Sequence, residues 1–475
     1  MNHYKMYIDG KWLDSDVKKP VYDKYSGEQI ATYALTSQEN VDLAIKSAKE
    51  SFETIKLTPK QRYDILVNAA KYMVEDAEMM AQAICHESGR LLGDSRGEAS
   101  RSAGALELSA EEAKRIAGEM VPIDGFPGGE NKICFTMRVP VGVVCAITPF
   151  NVPLSLTAHK VAPAIAAGNT VVLKPTQDSP GFAVKLVEAF LKAGLPPNHI
   201  QLVLGGGSTV GDALLKNKDI DFYTFTGSLE TGEHMKREIG MRRCSMELGS
   251  NAPVIVHKDA ADVKKAANLC GMKGYNTAGQ ICMRPQRLYV HEDVLQEFTD
   301  ALLAFVAGLQ CGDPTDPNTK IGPMISEKAV DRVDSWVQEA VQEGAKVLIG
   351  GEKFSSRVYK PTVLTNVKKG MKVVDAEIFG PVLVIIPYSD FDEAIEMAND
   401  SVYGLQAGVF TSNVNLAMKA AKEIASGGVI INETSFTRID NMPYGGIRMS
   451  SAGGKEGPKY AIDEMMDTKT IVFEL

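Results

Sequence analysis

Residues 139–173 read VPVGVVCAITPFNVPLSLTAHKVAPAIAAGNTVVL, and this stretch decides the fold class. A short apolar run, Val141–Ile147, stops at the turn-forming Thr148-Pro149-Phe150-Asn151. A helical stretch around Ser155–Ala166 follows, and then a second short run, Thr170–Leu173. Strand, helix, strand at this spacing is a βαβ unit, in which the strands lie parallel and helices cover the sheet faces. The pattern continues with strands expected at Ile200–Leu204, Phe222–Thr226 and Val254–Val256, and helices at Ser179–Ala193 and Glu230–Ile239. Ser179-Pro180 starts the first of these helices and Gly194 stops it. A second alternating series runs from about Asp259 to Gly446. Its strands are expected at Arg287–Val290, Lys346–Ile349, Val382–Pro387, Gly408–Phe410 and Val429–Asn432. The reading is α/β: two lobes with β extensions, and a ligand cleft between the lobes.

Outside this core the punctuation is local. Asp9-Gly10 and Ser26-Gly27 each separate short β-like runs and read as hairpin turns. Thr36-x-x-Glu39 reads as a capping box before Val41, Ala44, Ile45, Ala48 and Phe52, which share one helical face. Thr58-Pro59-x-Gln61 starts a second helix that buries Ile65, Leu66, Ala69, Met73 and Ala77. Helical patterning resumes from about Gly97 to Ala117. Lys132–Val139 and Thr468–Leu475 read as extended strands outside the lobes, whose edges need a partner.

With 475 residues, 44% hydrophobic and 23% charged, the chain is an ordinary globular protein, long enough for two or three domains of ~100–200 residues each. A net charge of −9 gives no general attraction to nucleic acid or to an anionic membrane. The seven cysteines are scattered without a C-x-x-C pair, which argues for reduced thiols and against a disulfide framework or a metal site. The polar start MNHYKMYIDGKWLDSD has no signal-peptide core, and no run reaches the ~18 apolar residues of a membrane span. A cytoplasmic enzyme is expected.

Several residues stand out as candidates for chemistry. Cys282, in NTAGQICM, follows a small Gly-containing loop; read alone, it is either a nucleophilic thiol or a small buried hydrophobe. Glu247, between Met246 and Leu248, is a general-base candidate because apolar neighbours raise a carboxyl pKa; the alternative is a surface carboxylate at an element end. Asn151, between Pro149 and Pro153, is placed to donate to an oxyanion or is an ordinary turn residue. Gly205-x-Gly207 with Gly211 approximates a dinucleotide loop, one residue too long and without the usual acidic partner. Phe225-Thr226-Gly227-Ser228 ends a strand just before a helix N-terminus, where free N–H groups attract phosphate.

Taken in order, PFNVPL, AGNTVVLKP, FTGS, MELGSN, GQIC, EIFGP and NMPYGG strongly resemble the NAD(P)-dependent aldehyde dehydrogenase superfamily along essentially the whole chain. That resemblance implies two Rossmann-like α/β lobes plus a β oligomerisation extension. Residues 1–121 and 141–248 would bind the dinucleotide, 249–445 would carry the nucleophilic cysteine, and 122–140 with 446–475 would form the extension. Cys282 would attack the aldehyde, and Asn151 with the Cys282 backbone N–H would hold the oxyanion. Glu247 would activate the hydrolytic water, and Lys160 would serve proton relay. NAD or NADP would meet Thr148, Pro149, Phe150, Lys174, Thr176, Gln177, Gly207, Gly211, Phe225, Gly227, Ser228, Leu248, Glu377 and Phe379. The two extensions would pair with a second subunit in a homodimer or homotetramer.

The sequence departs from the family pattern in places. Gln177 stands where NAD-preferring members often carry Glu, so NADP should be tolerated. Ser250 replaces a Gly, and residues 450–457 are altered. The segment Ser435–Pro443 and the His159-Lys160 pair resemble the lactaldehyde, sulfolactaldehyde and phosphonoacetaldehyde subgroup. On that resemblance Arg101, His159, Arg284 and Arg438 would fall at family positions that line the substrate funnel, where arginine's planar fork suits an anionic tail. Each arginine has an alternative as an ion-pair member, with Glu98 for Arg101 and Asp440 for Arg438. The expected substrate is a small polar aldehyde, with the arginines leaning toward an anionic one. The competing functions are a CoA-acylating dehydrogenase, which typically lacks the deacylating carboxylate, a succinate semialdehyde-type dehydrogenase, a non-enzymatic protein on this fold, and a cysteine hydrolase, which needs a His at the thiol.

Overall fold

The computed structural model describes residues 1–475. Alternating strands and helices build two separate sheets. The first runs in the order Ser451–Ala452, Arg243–Glu247, Phe222–Thr226, Val143–Ile147, Thr170–Lys174, Ile200–Leu202, Met6–Ile8, Lys11–Leu13. Its strands from Arg243–Glu247 to Ile200–Leu202 are parallel, and antiparallel strands close both ends. Side chains alternate between its faces: Val144 and Ala146 enter one apolar cluster, Val143 and Cys145 the other. The second sheet runs Lys346–Ile349, Thr362–Thr365, Val382–Tyr388, Arg287–His291, Pro253–Val256, Gln406–Phe410, Gly428–Ile431, all parallel except the first. No helix is long and apolar enough to cross a membrane.

In the first sheet the chain proceeds from Val143–Ile147 outward to Ile200–Leu202, then returns to the other side for Phe222–Thr226 and Arg243–Glu247. The order therefore reverses between Val143–Ile147 and Phe222–Thr226. Doubly wound sheets bind ligands outside the C-terminal ends of the strands at such a point.

The structure corrects several sequence expectations. Val254–Val256 was expected in the first series, but Pro253–Val256 lies in the second sheet, because Leu248–Ala252 crosses between the lobes. Arg243–Glu247 and Thr362–Thr365 were not anticipated as strands, since each is bounded by polar residues. The first helix starts after Ser37, whose hydroxyl accepts from Asn40 N–H. Thr36 is diverted to the sheet, where it exchanges hydrogen bonds with Leu204. The Thr58–Gln61 capping box is formed as expected.

The extensions pair with each other. Met466–Glu474 runs antiparallel to Lys132–Pro140, with Met466 opposite Pro140 and Glu474 opposite Lys132. The expectation that both strands wait for a second subunit is thus corrected: only the outer edge of Met466–Glu474 remains free, since Lys132–Pro140 lies between it and Met120–Val121. Nor is 446–475 one extension. Ser451–Ala452 joins the first sheet, and the helix Pro458–Glu464 places Ile462 in the first lobe's core.

Candidate active site

The lobes meet with opposite strand ends. The first sheet presents the residues that follow its strands: Asn151 after Val143–Ile147, Gly227 and Ser228 after Phe222–Thr226, and Glu247 at the end of its own strand. The second sheet presents residues that precede its strands: Cys282 before Arg287–His291, and Glu377 and Phe379 before Val382–Tyr388. Direct contacts join the edges. Asn151 Nδ2 donates to the Gln280 carbonyl at 2.8 Å, and the Phe150 and Phe379 rings meet edge-on at 6.1 Å.

The loop carrying Cys282 is strained and locked. Thr277 and Ala278 have φ of +51° and +53°, a region that non-glycine residues enter at a cost of about 1–3 kcal/mol. A Cβ on Gly279, whose φ is +74°, would come within 2.1 Å of the Gly380 carbonyl. Arg90 clamps the turn: its Nη1 donates to Thr277 Oγ1 at 2.6 Å and to the Asn151 carbonyl at 3.2 Å, while its Nε lies 3.1 Å from Glu98. Glu98 in turn accepts from Leu154 and Ser155 N–H at the start of the helix that bears His159 and Lys160. No acceptor in the chain takes the Cys282 N–H. The thiol itself lies 3.2 Å from the Tyr444 hydroxyl, not beside a histidine, so the hydrolase reading loses its base. Burial pushes the Cys282 thiol up to about 11, with Tyr444 pulling the other way.

Glu247 is buried, and neither carboxylate oxygen has a partner. Burial raises its pKa well above the usual carboxyl range, and the negative charge of Glu456 raises it further. Gly445 has φ of +148°, and a Cβ there would sit 2.4 Å from Glu247 Oε1, so a larger residue would displace that carboxylate. Glu456 binds Lys160 Nζ at 2.5 Å and Arg438 at 3.1 Å. Burial opposes its ionisation, but these two cations outweigh it and hold its carboxyl low. Neither Glu456 nor Tyr444 was singled out from the sequence, although both lie in the altered 450–457 segment or the NMPYGG motif. Nothing local marks a residue whose partner is hundreds of positions away.

The expected substrate arginines separate. Arg284 is buried, donating to the carbonyls of Pro285 and Val382 at 2.9 Å each and to Gln286 Oε1 at 3.2 Å. Its funnel role is corrected: those carbonyls have no other way to be satisfied in the dry interior. Arg438 pairs with Glu456 rather than with Asp440, and lies over the Tyr444 ring. His159 takes Asp440 instead, Nε2 to Oδ1 at 3.0 Å, leaving its buried Nδ1 unpartnered. Arg101 alone is exposed and in no ion pair, the one arginine of the set free to meet an anion.

A cavity of about 370 Å³, within the range of small-ligand sites, opens at the reversal point of the first sheet. It brings together Lys174, Gly207, Gly211 and Phe225 from the sequence expectation and adds Asp212, Glu230 and His234. Gly207–Gly211 forms a single π-helical turn, wide enough to absorb the extra residue in the glycine spacing. Burial pushes Lys174 down to about 8. Ser228 caps the helix Leu229–Ile239, and the neighbouring Thr226 hydroxyl is buried without a partner. Gln177 is exposed beside Gly206, with Thr176 hydrogen-bonded to Asp178. Thr148 and Pro149 lie at the strand end, and Leu248 N–H donates to Ser450 O. Across the cleft, Ser250 N–H holds Glu377 at 2.9 Å, whose carboxyl burial pushes up to about 7, while Phe379 takes φ of +42°. The orphaned Thr226 hydroxyl, the open glycine turn and the helix N-terminus suit a phosphate-bearing nucleotide.

Comparison with known proteins accords with this geometry. A model of the aldehyde dehydrogenase family matches residues 12–471. The chain is 46% identical to a 3-sulfolactaldehyde dehydrogenase of Priestia aryabhattai, covering 100% of this chain and 99% of that protein. It is 40% identical to a lactaldehyde dehydrogenase of Methanococcus maripaludis, covering 98% and 99%. Among solved structures it resembles an NADP-dependent glyceraldehyde-3-phosphate dehydrogenase from Bacillus halodurans complexed with NADP, with a TM-score of 0.96, 35% identity and 100% of both chains covered.

Proposed function

The chain belongs to the aldehyde dehydrogenase family and oxidises an aldehyde with NAD or NADP; from that premise we propose that its substrate is a small 2-hydroxyaldehyde, 3-sulfolactaldehyde before lactaldehyde, released as the free carboxylate. The partnerless, buried Glu247 carboxylate carries the hydrolytic half of this reading. Such a group binds a proton from water more readily than an exposed carboxylate does.

The Cys282 sulfur adds its electron pair to the aldehyde carbon, and the carbonyl pair moves to oxygen. The Asn151 amide and the Cys282 N–H are disposed to hold that oxygen. A hydride acceptor is the chemistry that bound NAD or NADP supplies. Lys174, Gly207, Gly211, Phe225, Gly227 and Ser228 would hold its nucleotide end, and Glu377 and Phe379 its nicotinamide end. Glu247 then takes a proton from water, whose oxygen adds to the acyl carbon, and Cys282 leaves as thiolate. Lys160 anchors the Glu456 carboxylate, whose charge raises the proton affinity of Glu247, while its own charge lowers it. Residues 1–121 and 141–248 serve the dinucleotide, and 249–445 serve the aldehyde.

The 46% identity to a sulfolactaldehyde dehydrogenase and the unpaired Arg101 favour the sulfonate over the neutral lactaldehyde. NAD(P)H production with 3-sulfolactaldehyde, lactaldehyde, succinate semialdehyde and phosphonoacetaldehyde tests the ranking. The expected kcat/KM for the sulfonate exceeds that for neutral lactaldehyde by roughly threefold to tenfold, the weight of about one exposed charge contact. Equal values, or acceleration by added CoA, would overturn the reading. The free edge of Met466–Glu474 carries exposed Val472 and Phe473, which supports a homodimer or homotetramer; a monomer in light scattering would contradict it. Seven free thiols favour the cytoplasm.

A further inference from the structure

The reacting atom of Cys282 has a neighbour whose orientation is fixed from every side. The Tyr444 hydroxyl lies 3.2 Å from Sγ. Its ring is buried, and its backbone exchanges two hydrogen bonds with Glu456, at 3.0 and 2.6 Å. The Arg438 guanidinium covers the ring face, 4.0 Å from the centroid, and is itself held by Glu456. We propose that Tyr444 is a catalytic residue of the thiol chemistry: its hydroxyl donates to Cys282 Sγ and stabilises the thiolate that attacks the aldehyde and later leaves the acyl group. This rests on Cys282 being the nucleophile.

Chemistry decides which atom is the donor. Once the thiol is deprotonated only the phenol has a proton to give. Burial raises the ionisation of Tyr444 well above its ordinary range, so the phenol keeps its proton throughout. A cation on the ring face draws electron density from it and strengthens the O–H as a donor. The balance is simple. The S–H bond breaks and its proton passes to solvent water; the freed pair forms the S–C bond; nothing is oxidised or reduced in this step. The charged groups facing the thiol are Glu377 and Glu247, which oppose the thiolate, and Arg438, which favours it. Glu377 and Glu247 oppose the thiolate to the extent that they are ionised, and the hydroxyl adds a donor beside the single cation Arg438. The bond is strong to a thiolate and weak to a thioether or thioester sulfur, so it favours formation of the nucleophile and departure of the leaving group rather than the resting adducts.

The test is alkylation of Cys282 by iodoacetamide in the free enzyme, followed by peptide mass across pH, in wild type and Tyr444→Phe, which keeps the ring under Arg438. The midpoint is expected to move up by about one pH unit, with the rate near pH 7 falling at least ~tenfold. Dinucleotide binding should stay unchanged, and the deficit in kcat/KM should narrow as pH rises. Superimposable alkylation profiles overturn the proposal. Should Tyr444→Phe not fold, 3-fluorotyrosine at 444, a stronger donor of nearly the same shape, must lower the midpoint; an unmoved midpoint overturns it equally. Cys282→Ser separates the two readings: if oxidation is lost there while the Tyr444→Phe profile is unmoved, the nucleophile stands and the tyrosine role falls. If oxidation survives in Cys282→Ser, both fall.

Discussion

The first lobe delivers the C-terminal ends of its strands to the cleft, whereas the second, an equally parallel sheet, delivers its N-terminal ends. Both sheets have a reversal of strand order, and so both have a place where a ligand crevice would form. In the first lobe that place is open and lined by glycine and Lys174. In the second, an aromatic cluster sits beside it, at the ends of Pro253–Val256, Arg287–His291 and Val382–Tyr388. His257, His291, Tyr388 and Phe391 pack their rings together outside the strand ends; His257 and His291 meet at 5.1 Å, and His257 Nδ1 lies 3.0 Å from the Tyr388 hydroxyl. Topology offers such a place in each lobe, and the side chains around it differ: glycine and lysine in one, packed aromatic rings in the other. The second lobe uses its other edge, where the turns before its strands hold Cys282, the proposed nucleophile, beside a strained loop.

If the lobes divide the work in this way, their functions should separate under mutation. Cys282→Ala is expected to lower turnover by at least ~10⁴-fold while leaving the Kd for NAD(P) nearly unchanged in a fluorescence titration. Turnover within about tenfold of wild type would break the division. Glu247 stands at the seam. Glu247→Gln is expected to keep a burst of about one NAD(P)H per site but to slow the steady state ~10²–10³-fold, since only deacylation needs the base. Loss of the burst in stopped flow would move Glu247 to activation of the thiol. Its pKa is raised, and the base must be unprotonated to act, so steady-state activity should climb with pH through that value. Glu456→Gln removes a negative neighbour and should shift the climb to lower pH; a shift upward would contradict the electrostatic account.

Smaller effects sharpen the contrast within each lobe. In the first, Gln177→Glu should raise the preference for NAD over NADP by roughly tenfold to a hundredfold, since a carboxylate accepts from a ribose hydroxyl but repels a phosphate. An unchanged ratio of kcat/KM values would place the ribose elsewhere. Arg101→Ala should weaken an anionic aldehyde about threefold to tenfold and spare lactaldehyde, the effect being limited because the side chain is exposed. Arg284→Ala should instead lower Tm by roughly several degrees and affect both aldehydes alike, as its partners are backbone carbonyls.

Much of the architecture was legible because it is written in near neighbours. Strand and helix periods, the Asp9-Gly10 turn and the Thr58–Gln61 cap each depend on residues within a few positions of one another. The motifs around Asn151, Glu247 and Cys282 were legible for the same reason. Tertiary structure alone decided what those residues meet. The thiol and the Tyr444 hydroxyl are 162 positions apart, and Lys160 and Glu456 are 296 apart. A pattern of period 2 or 3.6 tells which face a side chain leaves by, never which group waits there. Arg284 and Arg438 showed this most plainly: an arginine announces a charge, and only packing determines whether that charge is used up by carbonyls, by a buried carboxylate, or left for a substrate.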